Sequence, residues 1–213
     1  MGGRRGYGPT HSQSLEKHFV GMDMFAIFAL NKYLNPAIVY NCAQKRIHPT
    51  LVIENKVDYG KKPNLNLPEG YGIFISNEDV PNLIIKPTAK SNITTTIITY
   101  GGSAEIAADN IERIFYEYDE LAQVLILTKI DPLPTNFILS NIPEYTNVIT
   151  FEEGTKRGCI GDNIISLIAQ QKTNVNFASV SSLDTTIPSV KSLELGMLAN
   201  EKMLLECIKF LQK

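Results

Sequence analysis

Cysteine and histidine are scarce, three of each in 213 residues. Cys42, Cys159 and Cys207 are far apart and odd in number, which argues against a disulfide framework and matches a reducing compartment. No Cys-x-x-Cys or His-x-x-x-His spacing occurs, so the usual zinc-site patterns are missing. Charge of one sign is missing too. Lys plus Arg is 20 against 22 for Asp plus Glu, a formal net charge of -2. That argues against a strongly basic surface of the kind that carries nucleic acid. No apolar run approaches the roughly 18 residues needed to cross a bilayer, and no signal peptide opens the chain. The expectation is a soluble, cytoplasmic protein that binds neither nucleic acid nor membrane. A Gly-x-x-x-x-Gly-Lys phosphate loop is absent, because Asn55 stands where the first glycine before Gly60-Lys61 should be. There is no internal repeat.

What is present is an ordinary globular composition, 44% hydrophobic and 20% charged. The chain is long enough to bury a core without metals or disulfides, as one or two domains. Its opening is unusual. Gly2, Gly3, Gly6, Gly8 and Pro9 crowd the first nine residues, which reads as a loop. Thr10 and Gln13 then stand three apart, as in a capping box. With Thr10 as N-cap, His11 would sit in the first turn of a helix, and Leu15 and Phe19 would face the core. A domain that opens this way reads as continuing something upstream.

Further along, the patterns predict a strand over 25–30, a helix of about two turns after Pro36, and a buried strand over 50–54. Residues 60–72 are rich in Gly, Pro, Asn and Lys and read as linker. From about residue 84 the alternation becomes regular. Strands are predicted over 94–100, 122–128, 147–152 and 176–181. Helices are predicted over 103–118, with Ala107, Ile111, Ile114, Phe115 and Tyr118 on one face, and over 135–142. Two more follow, over 158–170 with Ile160, Ile164, Ile165 and Ile168, and over 201–212 with Leu204, Cys207, Ile208 and Leu211. Strands alternating with helices of this length predict βαβ units and a parallel sheet.

His11 is the most suggestive residue. At a helix N-terminus the dipole would disfavour the imidazolium and leave a neutral ring able to donate a hydrogen bond or accept a proton. The plainer reading is a hydrogen bond within a turn. Glu152-Glu153, before Gly154–Gly158, lie where open α/β sheets bind ligands, yet packing explains them more simply. Gly161-Asp162-Asn163 falls inside an apolar-periodic helix. Arg4-Arg5 and Lys61-Lys62 read as solvated loop charges.

At Gly6-Tyr7-Gly8-Pro9-Thr10-His11-Ser12-Gln13-Ser14-Leu15-Glu16 the sequence resembles the β subunits of thiamine-diphosphate-dependent 2-oxo acid dehydrogenases, of the pyruvate and branched-chain type. Residues 49–60 resemble the later strand of that family's pyrimidine-binding domain. Residues 96–101, 148–153 and 154–168 resemble its transketolase C-terminal domain. The resemblance implies an α/β fold: the end of a pyrimidine-binding domain over 1–60, a linker over 61–90, and a parallel-sheet transketolase C-terminal domain over 91–213. It implies that His11 assists acyl transfer to lipoyl, with Tyr7, Ser12 and Gln13 in the same active-site loop.

The departures matter as much. The first third of the family's β subunit, with the glutamate that activates the cofactor, has no counterpart here; a split gene or an internal start is the expectation. Thiamine diphosphate and magnesium would be bound mainly by partner chains. Those are an α-like subunit, a polypeptide supplying the missing front, and a lipoyl acyltransferase or other acyl carrier. Where the family often binds potassium, the chain reads Ala43-Gln44-Lys45-Arg46-Ile47-His48, with Arg46 in place of the acid, so no potassium is expected there. Three readings stay open: a 2-oxo acid dehydrogenase portion inactive alone, a non-catalytic assembly module, and a transketolase-like acyl or ketol transferase of specialised metabolism.

Overall fold

The computed structural model describes residues 2–61 and 66–212. The glycine-rich opening runs as loop into a single turn, α1 (Gly8–His11), and a 3₁₀ turn at Glu16–Phe19. A short strand, β1 (Ala26–Ala29), leads to α2 (Pro36–Gln44), capped by the Asn35 side chain on the Ala37 N–H, and then to β2 (Thr50–Ile53). Next come β3 (Tyr71–Ile75), β4 (Leu83–Pro87) and β5 (Thr95–Tyr100). Helices α3 (Ser103–Asp109) and α4 (Ile111–Tyr118) precede β6 (Ala122–Leu127), β7 (Lys129–Asp131) and α5 (Thr135–Ser140). The chain closes through β8 (Asn147–Thr155), α6 (Ile160–Ala169), β9 (Asn176–Ser182), α7 (Lys191–Met197) and α8 (Glu201–Leu211).

Two sheets result. The larger has the order β3-β4-β6-β5-β8-β9, and the smaller has the order β2-β1-β7. In the larger, β6, β5, β8 and β9 are parallel, as βαβ connections require, and β4 and β3 are added antiparallel at one edge. Alternate residues of each central strand enter opposite cores. Ile97, Val124, Ile126 and Ile149 pack with Ala107, Ile111, Ile114, Leu204 and Ile208 of α3, α4 and α8. Ile98, Leu125, Leu127 and Val148 pack with Ile138, Ile160, Ile164 and Ile168 of α5 and α6. Both faces being covered explains why these strands read as near-continuous apolar runs.

Three expectations are corrected here. Residues 61–90 are not simply linker, because β3 and β4 form a hairpin hydrogen-bonded into the large sheet; residues 62–65, including Lys62, lie outside the described residues. The helix over 103–118 is two helices. Asn110 stands between them, and its Nδ2 donates to the Ile106 carbonyl at 2.9 Å, a local bond that competes with the helical ladder. Phe115 is consequently exposed, and Tyr118 half-buried, while Ala107, Ile111 and Ile114 are buried as the periodicity required.

The two sheets are joined by a strut. The chain leaves the large sheet at Thr128 and pairs antiparallel with β1, the Ala29 N–H donating to the Thr128 carbonyl at 2.7 Å. At that corner the buried Asn82 Oδ1 accepts from the Thr128 and Lys129 N–H groups at 2.9 and 3.3 Å.

Candidate functional site

The N-terminal segment crosses the carboxyl end of β8 and is held there by buried glutamates. Glu153 Oε1 accepts from the Gly3 N–H at 3.3 Å and the Ser14 hydroxyl at 3.0 Å, and Glu153 Oε2 pairs with Arg4 Nε at 3.4 Å. Glu194 on α7, fully buried, accepts from the Gly6 N–H at 2.6 Å. Lys17 Nζ spans to the Thr155 hydroxyl at 2.6 Å and the Arg157 carbonyl at 2.6 Å. Gly8 fits because it adopts φ +70 against Ser189, where a Cβ would stand 2.5 Å from the hydroxyl oxygen.

This docking corrects the local reading. Thr10 is not an N-cap: Tyr7 precedes the turn, His11 ends it, and Gln13 Nε2 instead donates to the Pro9 carbonyl. His11 therefore ends the turn and has no helix N-terminus beneath it. Beyond the turn, Ser12, Ser14 and Glu16 are buried while Gln13 and Leu15 are exposed, not the helical spacing the sequence suggested. Leu15 (47% exposed) and Phe19 (39%) do not enter the core, because the buried side of the segment meets carboxylates rather than apolar groups. Arg4 is not a free loop charge; besides Glu153 it reaches the Ala199 carbonyl. Arg5 lies 4.5 Å over the Tyr7 ring, and Lys61 pairs with Asp58 and Glu105.

The turn brings the four candidate residues together and sorts them. Ser12 is buried, its Oγ accepting from the Tyr7 N–H at 3.3 Å. Tyr7, His11 and Gln13 face outward. Gln13 alone of the four lines a cavity of about 690 Å³ at the ends of β8 and β9, with Lys17, Glu153, Thr155, Ser182 and Asp184. That cavity occupies the place where open parallel sheets bind ligands.

Behind the segment lies a group the sequence reading missed. Tyr100 Oη is 2.9 Å from Glu16 Oε1 and 2.9 Å from Glu152 Oε2. Glu152 also accepts from the Ile160 and Gly161 N–H groups at 3.2 and 2.6 Å, capping α6. Burial holds both carboxyls above the usual carboxylate range and the phenol well above its own. Burial, with the Glu152 charge adding to it, pushes the Cys159 thiol up to about 12, so it is no thiolate nucleophile at neutral pH. The signal available in the sequence was Glu152-Glu153 at a strand end, without the partners that explain them.

The fold and the site together define a mostly parallel α/β domain that anchors a glycine-rich, histidine-bearing segment at the carboxyl end of its sheet. Residues 88–201, more than half of the chain, match the family described as transketolase, C-terminal domain, and the chain belongs to that family. A comparison with curated protein sequences finds no match. Among solved structures the chain is similar to one described as a split gene transketolase, inactive beta4 tetramer (TM-score 0.70, 15% identity, 95% of this chain and 63% of that one). It is similar to a transketolase variant from Pichia stipitis (TM-score 0.61, 14% identity, 95% of this chain and 28% of that one). A transketolase from Leishmania mexicana is similar too (TM-score 0.58, 12% identity, 97% of this chain and 28% of that one). At these identities the likeness is one of fold, and the chain spans 63% of the first structure's length and 28% of each of the others.

Proposed function

We propose that the chain is a subunit portion of a thiamine-diphosphate-dependent, transketolase-like enzyme that needs partner chains to turn over. In the form we favour, a 2-oxo acid is decarboxylated and its acyl group passes to lipoyl or another carrier. The observation that carries this reading is the sorting of the His11 turn: its anchors face inward to Glu153 and Glu194, while His11, Tyr7 and Gln13 face outward. The structure described as an inactive β tetramer of a split transketolase supports the idea of a chain inactive alone.

Among the described residues, no group of three or more His, Cys, Asp or Glu could hold a metal ion. We assign the cofactor and its metal mainly to partner chains. What this chain contributes is His11, placed on a fixed turn where its imidazole can donate a hydrogen bond to, or take a proton from, a group presented by the partner.

Gentle affinity purification from the native host, with mass spectrometry of the co-purifying chains, tests the composition. An α-like subunit together with a chain carrying the missing acidic residue is the expected result. In that complex His11→Ala should lower acyl transfer by about 100-fold with assembly unchanged. Unchanged turnover would remove His11 from the site. Recovery of the chain alone, or with only an acyltransferase core, would favour the assembly module. Transfer to sugar acceptors instead of lipoyl would favour the transketolase-like alternative.

A further inference from the structure

Glu16, Tyr100 and Glu152 are 4%, 2% and 2% exposed, so no bulk water mediates among them. One phenol stands between two carboxyl groups at equal distance. A phenol has a single proton, so it can donate to one carboxylate only; the other must be protonated and donate to it. Glu152 already receives two N–H bonds at the start of α6, and these favour its anion. Glu16 receives one, from its own backbone, so the better-solvated anion is Glu152 and the proton is assigned to Glu16.

We propose that Glu16, Tyr100 and Glu152 form a proton-linked clasp, in which one proton on Glu16 locks the His11-bearing segment to the sheet and its loss to solvent releases that segment. The inference rests on the anchor's geometry and not on the reaction proposed above.

Among the described residues no cationic side chain pairs with Glu16, while the positive charge of the N-terminus favours its anion. On β8, Glu153 adds a negative charge, and Arg4 from the segment is already paired with it. Lys17, next to Glu16, turns its ammonium to Thr155 and to the Arg157 carbonyl. Cys159 and Asp162 begin α6, and Glu194 on α7 is another acid. Burial raises Glu16 above its ordinary value, with a small addition from the charge of Glu152, against the lowering effects of its own backbone N–H, the Tyr100 hydrogen bond and the N-terminal charge. A carboxyl raised in the docked state favours docking fully below the ordinary carboxylate range. That contribution is lost as pH rises through the raised value. One proton changes the docking constant by at most about tenfold per pH unit.

Two measurements on the full chain test this. Difference infrared spectroscopy, taken between the acid and alkaline ends of the range in which protection falls, should show the carbonyl band of a protonated carboxylic acid on the acid side, absent from Glu16→Gln. Hydrogen-exchange protection of residues 2–19, corrected for intrinsic rates, should fall as pH rises in the wild type. In Glu16→Gln, whose amide still donates to Tyr100 and has no proton to lose, protection should stay level. A wild-type segment equally protected from acid to alkaline pH, or a variant that follows the wild-type curve, would overturn the clasp. If Glu16→Gln does not fold, the wild type decides by itself: the acid band with falling protection supports the clasp, and the lack of either refutes it.

Discussion

Glu153 and Gly161 show how few atoms hold the candidate site. Glu153→Ala would leave the Gly3 N–H and the Ser14 hydroxyl without their acceptor and Arg4 with only the Ala199 carbonyl. The expected loss is about 1–3 kcal/mol in urea unfolding, with exchange of residues 2–19 accelerated most. At Gly161 a Cβ would stand 2.4 Å from Thr150 Oγ1 and 2.9 Å from Glu152 Oε1, so the bare backbone is what lets Glu152 cap α6. Gly161→Ala should cost about 1–3 kcal/mol, read as a lowered urea midpoint with an unchanged slope. Cys159, buried and with its thiol raised to about 12, should resist iodoacetamide at pH 8 until the chain is denatured. Ready labelling in the folded state would contradict that environment.

At the scale of elements, the central strands and α6 were legible because their periodicity is long and unbroken. The six consecutive buried residues of β5 and of β6 can only be strands covered on both faces. The hairpin of β3 and β4 was not legible. Its strands are five residues each, follow a Gly- and Pro-rich stretch, and gain their pairing from β6, nearly forty residues on from β4. The break at Asn110 was equally hidden, since a side-chain bond to Ile106 leaves no trace in an apolar pattern. Asn82 is the strut between the sheets, and Asn82→Ala would strand two N–H groups at the corner. A loss of about 1–3 kcal/mol is expected, and a value near zero would remove Asn82 from that role.

The whole molecule has an unfinished side. Among the described residues β2 pairs with β1 alone and forms an edge of the small sheet, and Leu15, Phe19, Met22, Met24 and Ile47 expose apolar surface. Strand edges and apolar patches of this kind are covered in most native proteins. The purified chain should therefore sediment as a species larger than a monomer at micromolar concentration, or be held by partners. A clean, stable monomer would count against a partner covering this edge.

By itself the sequence determined the layered α/β architecture, because the periods of its apolar residues are local quantities that neighbours in the chain express together. It also marked the glycine-rich segment and His11. Only the tertiary structure decided what Glu16, Tyr100, Glu152, Glu153 and Arg4 do. Tyr100 meets Glu16 across 84 residues of chain, and Glu153 meets Gly3 across 150. A carboxylate's role depends on which donors reach it and whether water does, and neither is written in the residues beside it.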